Sequence, residues 1–151
     1  MLVPSAWNPS QWSALDPAGT TWFRSPLDST YHLVYRMDDA PEGAQPLALF
    51  NLRRWLQSEP KGRVVRAQWW GQRLEVAALN GTSIKLHAVH HAPSAEDAAY
   101  AILLALDQLD WNGSEVPVFW EGIDSEPVAQ WTRHFIAHWH DRSLDGILHP
   151  A

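Results

Sequence analysis

Cysteine is absent from this chain, which excludes disulfides, thiolate metal sites and thiol nucleophiles together and agrees with a reducing compartment. No apolar run approaches the roughly 20 residues that a membrane-spanning helix needs. The opening MLVPSAWNPS has neither the basic n-region nor the apolar h-region of a secretory leader. Basic residues are outnumbered, 11 Lys and Arg against 17 Asp and Glu, which weighs against a protein living mainly on nucleic acid or anionic membrane. There is no Gly-rich phosphate loop, no nucleophile elbow, no HExxH pair and no EF-hand loop. Together these absences predict a soluble cytoplasmic protein with no assigned catalytic residue, no cofactor and no membrane partner.

What the chain does have is tryptophan, ten in 151 residues, a large apolar body whose single N–H wants a partner when buried. The length suits one domain over residues 1–151, burying roughly 70% of the surface that the unfolded chain exposes. Charge is unevenly spread. Residues 53–91 carry seven basic against two acidic side chains, whereas residues 92–151 carry two against ten. A basic centre therefore precedes an acidic end.

Residues 1–30 interleave four prolines with Trp7, Trp12, Trp22 and Phe23, a composition that predicts an irregular arm too aromatic to stay undocked. Strict alternation over 31–37 predicts a strand. Pro46 opens a helix over about 46–58, with Ala48, Leu49, Leu52, Trp55 and Leu56 on one stripe and Asn51, Arg53, Arg54 and Gln57 opposite. Residues 63–90 then read as a three-stranded antiparallel meander. A two-residue turn at Gly71-Gln72 sets Trp69 against Leu74, Ala67 against Val76 and Val65 against Ala78. A three-residue loop Leu79-Asn80-Gly81 would set Val76 against Ile84, Leu74 against Leu86 and Glu75 against Lys85.

Ser94 caps a helix over about 94–111 with Glu96 and Asp97 in its first turn. Its main face is Ala95, Ala99, Ile102, Leu106 and Leu109. Tyr100, Leu104 and Trp111 lie nearly opposite, so the helix needs cover on both sides. A strand near 116–120 follows, with Pro117 suggesting a sheet edge. A last helix is expected over 125–142, burying Val128, Trp131, Thr132, Phe135 and Trp139. The fold class is α+β, two-layer, an antiparallel sheet with helices mainly on one face. This element order resembles longin/profilin-like and secretion-chaperone-like scaffolds, which implies a binding module.

Two clusters invite a functional reading. On the outer face of the meander Arg66, Trp70, Arg73, Lys85 and His87 would project together, a stacking indole amid positive charge suited to single-stranded nucleic acid or another anion. His134 and His138, four apart on the expected last helix with His140 and Asp141 close behind, have a spacing that can serve one metal ion, but no HExxH glutamate joins them, and a metal-dependent enzyme is the least favoured reading. The favoured reading is a non-enzymatic protein-interaction or adaptor module, with self-association among its modes. Its candidate binding residues are those five on the sheet together with Tyr100, Leu104 and Trp111 on the central helix.

Overall fold

The computed structural model describes residues 2–4, 23–28, 30–35, 43–123 and 125–142. The chain divides into two compact units, residues 1–57 and 58–151.

The first unit holds a three-stranded antiparallel sheet in the order β1-β3-β2, built from β1 (Leu2–Pro4), β2 (Phe23–Pro26) and β3 (Tyr31–Tyr35). Two stretches of the expected irregular arm are thus strands, while the rest of that arm lies largely outside the described residues. The expected strand at 31–37 is confirmed over 31–35, but it pairs with β1 and β2 rather than joining the larger sheet. The β2–β3 connection is fixed by Asp28, whose Oδ1 accepts from the Thr30 and Tyr31 amides at 2.7 and 2.8 Å, a side chain mimicking a backbone turn. Helix α1 (Leu47–Gln57) buries Ala48, Leu49, Leu52 and Trp55 as the spacing predicts. Asn51, assigned to the outer side by spacing alone, is also buried and accepts from Arg54 Nη2 at 3.4 Å.

The second unit is the α+β fold the sequence predicts. Its elements are β4 (Arg63–Trp70), β5 (Arg73–Asn80), β6 (Ser83–His91), α2 (Ala95–Gln108), β7 (Val118–Gly122), α3 (Ser125–Thr132) and β8 (Trp139–Asp141). The sheet order is β6-β5-β4-β7-β8. The meander is antiparallel, but β7 runs parallel to β4, and β8 parallel to β7, so the sheet is mixed. Parallel neighbours require crossovers, and α2 and α3 supply them. Their residues Ala98, Ile102, Leu106 and Val128 close one core with Val65, Ala67, Leu74, Val76 and Val118 of the sheet. The parallel pairs set this sheet apart from a wholly antiparallel scaffold.

The first hairpin has the predicted register, Trp69 opposite Leu74, Ala67 opposite Val76 and Val65 opposite Ala78. Of the two turn residues only Gly71 has a positive φ, 58°, as a turn with glycine first requires. The second hairpin differs. Asn80 pairs with Ser83 across Gly81-Thr82, and a bulge then leaves Lys85 as the extra residue between the Leu79–Ile84 and Ala78–Leu86 pairs. That insertion restores the face which the tighter turn would have flipped. Val76 consequently faces Ala88, Leu74 faces His90, and Glu75 faces Val89 rather than Lys85.

Two further expectations are corrected. Pro117 does not mark an edge: it precedes β7, its carbonyl accepts from the Val65 amide at 3.0 Å, and β7 lies between β4 and β8. The last helix ends at Thr132, where the side-chain hydroxyl donates back to the Val128 and Ala129 carbonyls, each at 3.2 Å, a local competitor of the helical ladder. A turn follows, and residues 139–141 form a strand. Phe135, beyond the helix, and Trp131, within it but off the buried Val128 and Thr132 side, are exposed, at 61% and 55%, rather than buried.

Part of the tryptophan excess is architectural. Trp69, Trp120 and Trp139 sit on adjacent strands, with ring centroids 5.8 Å apart for the first pair and 5.6 Å for the second. Each indole N–H finds an acceptor, the Ala92 carbonyl at 2.9 Å, the Ile123 carbonyl at 3.2 Å and Ser125 Oγ at 3.1 Å. Three indoles thus tie the sheet to two loops and the start of α3 without stranding a donor.

Candidate functional site

On the second face of the sheet, the alternation along β4 and β5 places Arg66, Gln68, Arg73, Glu75 and Ala77 as expected, yet they do not form an open platform. Arg66 is 1% exposed. Its Nη2 donates to the Glu59 carbonyl at 3.1 Å, and its guanidinium lies 4.7 Å from the Phe119 ring centre. Arg142 repeats both contacts, at 3.3 and 4.7 Å, and His140 stacks on the same ring. These bonds anchor the start of β4 to the sheet end. Glu75 is fully buried and sits 2.9 Å from His87 Nε2 and 3.6 Å from Arg73 Nη1. Gln68 and Ala77 are buried as well. Trp70 is 42% exposed, and Lys85 projects from the bulge. Of the five residues singled out on this face, Arg66 and His87 are withdrawn from solvent, and Arg73 and His87 both turn to Glu75.

The histidine spacing also dissolves. His134 lies in the turn after α3 and His138 just before β8, so no helix presents them to a common ion. Among the described residues no group of three or more His, Asp or Glu is placed to hold a metal.

The outward side of α2 gives a more coherent constellation. Ser94 caps the helix, its Oγ accepting from the Asp97 amide at 3.1 Å. Ala98, Ala99, Ala101, Ile102, Ala105 and Leu106 face the core. Tyr100 points away at 67% exposure, and Leu103, Leu104 and Trp111 are half-buried. Positions 100, 103, 104 and 107 form one helical stripe. The helix ends on Asp110 in the left-handed region at φ 52°. The Trp111 amide donates to the Leu106 carbonyl at 2.9 Å, and the Asp110 amide to the Asp107 carbonyl at 3.0 Å. This paired-bond helix end brings the side chains at its third-last and second-following positions together. Here they are Leu106 and Trp111.

That contact forms one wall of a cavity of about 370 Å³ lined by Leu103, Leu106, Asp107, Trp111, Asn112, Gly113 and Phe135. The opposite wall is held by backbone: the Ala137 amide donates to the Gly113 carbonyl at 3.1 Å. A Cβ at Gly113 would run into the Phe135 carbonyl, so glycine permits the close approach that shapes the cavity. Arg63 places its guanidinium 5.7 Å from the Trp111 ring centre. Sequence reasoning misses Leu103, Asp107, Gly113 and Phe135 as site residues. Helical spacing puts Phe135 on the buried stripe of a helix that in fact stops three residues earlier, and the loops meet only through tertiary contact.

No family model and no curated protein matches this sequence. Among solved structures, a protein from Bacteroides thetaiotaomicron VPI-5482 with actin-like ATPase fold and unknown function superposes with a TM-score of 0.74 at 14% identity, over 93% of this chain and 63% of that one. The chain thus spans less than two thirds of that neighbour's length. At this identity the likeness is one of fold alone, over the part of the neighbour that is covered.

Proposed function

We propose that this chain is a non-enzymatic protein-interaction module, and that it engages another protein through the outward side of α2 and the cavity at its C-terminal end. The observation that carries this reading is the cavity itself, apolar on the Leu103, Leu106, Trp111 and Phe135 sides and adjoining the exposed Tyr100. Aromatic anchors around a small pocket are the usual centre of a protein interface. The cavity is at the small end of the range for ligand sites, fitting side chains better than a bulky cofactor. The Glu75–His87 pair of the sheet, 2.9 Å apart, is shielded at 0% and 6% side-chain exposure. A cytoplasmic setting fits a cysteine-free chain whose described residues include no helix long and apolar enough to cross a membrane.

The reading is tested by placing a benzophenone photo-crosslinker at Tyr100 and irradiating cells that naturally make the protein. A discrete adduct, identified by mass spectrometry and lost when Trp111→Ala is added, supports it. An adduct of twice the chain mass identifies a second copy as the partner. No discrete adduct from Tyr100 contradicts the reading.

A further inference from the structure

We infer that the cavity at the end of α2 receives a basic side chain, arginine or lysine, carried by an extended segment of the partner protein; this rests on the interaction reading above and specifies its chemistry. Among the described residues Asp107 is the single ionisable one that lines the cavity, and it is exposed at the rim. The cavity also sits at the C-terminal end of a 14-residue helix whose last turn carries no basic residue. A helix C-terminus bears roughly half a negative charge, and here Asp107 and Asp110 add to it instead of offsetting it. Glu115 lies close by, within reach of Asn112 Nδ2 at 3.5 Å. Between Lys85 and Arg133 the sequence has no lysine or arginine at all, so neither α2 nor the loop after it supplies a cation of its own, and Arg63, brought here by β4, lies against the Trp111 ring. An apolar pocket with negative potential at its mouth favours a side chain with an aliphatic stem and a cationic head.

The two aromatic walls suit the same ligand. The faces of Trp and Phe rings attract a guanidinium or ammonium electrostatically, and Trp111 already accommodates one in Arg63 at 5.7 Å. An acidic anchor would meet Asp107 and the helix end with like charge. A purely apolar anchor would leave the carboxylate without a use. The cationic anchor satisfies the aromatic walls, the carboxylate and the helix terminus at once.

The test uses the full chain and three fluorescein-labelled octapeptides that differ only in a central Arg, Gln or Glu flanked by leucines. Binding is followed by anisotropy at low salt, and its location by the Trp111 indole N–H resonance. The Arg peptide is expected to bind about tenfold more tightly than the Gln peptide, and Asp107→Asn to reduce that preference about threefold, magnitudes set by one exposed ion pair and one cation–π contact. The Glu peptide is expected to bind most weakly. Equal affinities for Arg and Gln peptides, with both shifting the Trp111 resonance, would overturn the cationic anchor and leave the docking surface standing. A Trp111 resonance unmoved by any peptide would overturn the anchor and, if the Tyr100 crosslink is also missing, the interaction reading with it.

Discussion

Gly122 closes β7, and its replacement by alanine puts a number on the parallel pairing that distinguishes this sheet. Gly122 has φ 117° and pairs with Trp69 of β4. A Cβ there would run into the Trp69 carbonyl oxygen and stand 3.1 Å from both the carbonyl carbon and the amide nitrogen of the same residue. These are backbone atoms and cannot turn aside, so β4 and β7 must separate locally. Holding alanine at such a φ costs about 1–3 kcal/mol, and weakening one ladder hydrogen bond adds about 1 kcal/mol. Gly122→Ala should therefore destabilise by about 2–4 kcal/mol. Gly71→Ala is the matched control: φ is also positive, 58°, but nothing lies within 4 Å of the added Cβ. Its cost is about 1 kcal/mol, the left-handed penalty less the entropy lost by the unfolded glycine. Urea unfolding followed by tryptophan fluorescence measures both. If the two variants differ by less than about 1 kcal/mol, the lower bound of that difference, β7 does not lie against Trp69 as described and the reasoning fails.

Asp110→Gly should stabilise by about 0.5–1 kcal/mol, because glycine accepts the left-handed helix end freely and a carboxylate leaves the negative pole of α2; a loss of stability in the same urea experiment contradicts the assignment of that helix end. His87→Ala removes the partner 2.9 Å from the buried Glu75 and should cost about 1–3 kcal/mol, read as a lowered melting temperature by circular dichroism. A neutral result would mean that Glu75 does not rely on this imidazole. Trp111→Ala should leave the far-ultraviolet spectrum intact while lowering partner affinity by at least about tenfold, measured by calorimetry. Equal losses of folding and binding would make the indole structural alone.

The first hairpin is legible because six apolar residues alternate around Gly71, and a one-residue slip would turn all of them outward. The second is legible in its faces but not in its pairing, since a two-residue turn plus a bulge at Lys85 mimics the parity of a three-residue loop. The last helix is overextended by its spacing, because Trp131, Phe135 and Trp139 recur at helical intervals with no glycine or proline between them, whereas the helix ends at Thr132, whose hydroxyl bonds back to the Val128 carbonyl. For β7, Pro117 misleads, and the better guide is the continuous apolar run Val118-Phe119-Trp120, the pattern of a strand covered on both faces. In the candidate site, Tyr100, Leu104 and Trp111 can be read from the second apolar side of one helix. Phe135 and the role of Gly113 cannot, because Phe135 comes near Trp111 and Gly113 only when the 111–113 and 133–137 segments meet. The basic sheet face is visible as alternation, but alternation does not reveal that Arg66 spends its charge on the Glu59 carbonyl and the Phe119 ring.

The most direct test of the account compares the affinity of the crosslinked partner for two single variants, Phe135→Ala at the cavity and Trp70→Ala on the sheet, both of which alter exposed aromatic residues. By calorimetry, Phe135→Ala should weaken binding by more than about tenfold, as expected of a central interface aromatic, and Trp70→Ala should leave it unchanged. Binding lost with Trp70→Ala and retained with Phe135→Ala would place the interface on the sheet and contradict the central claim.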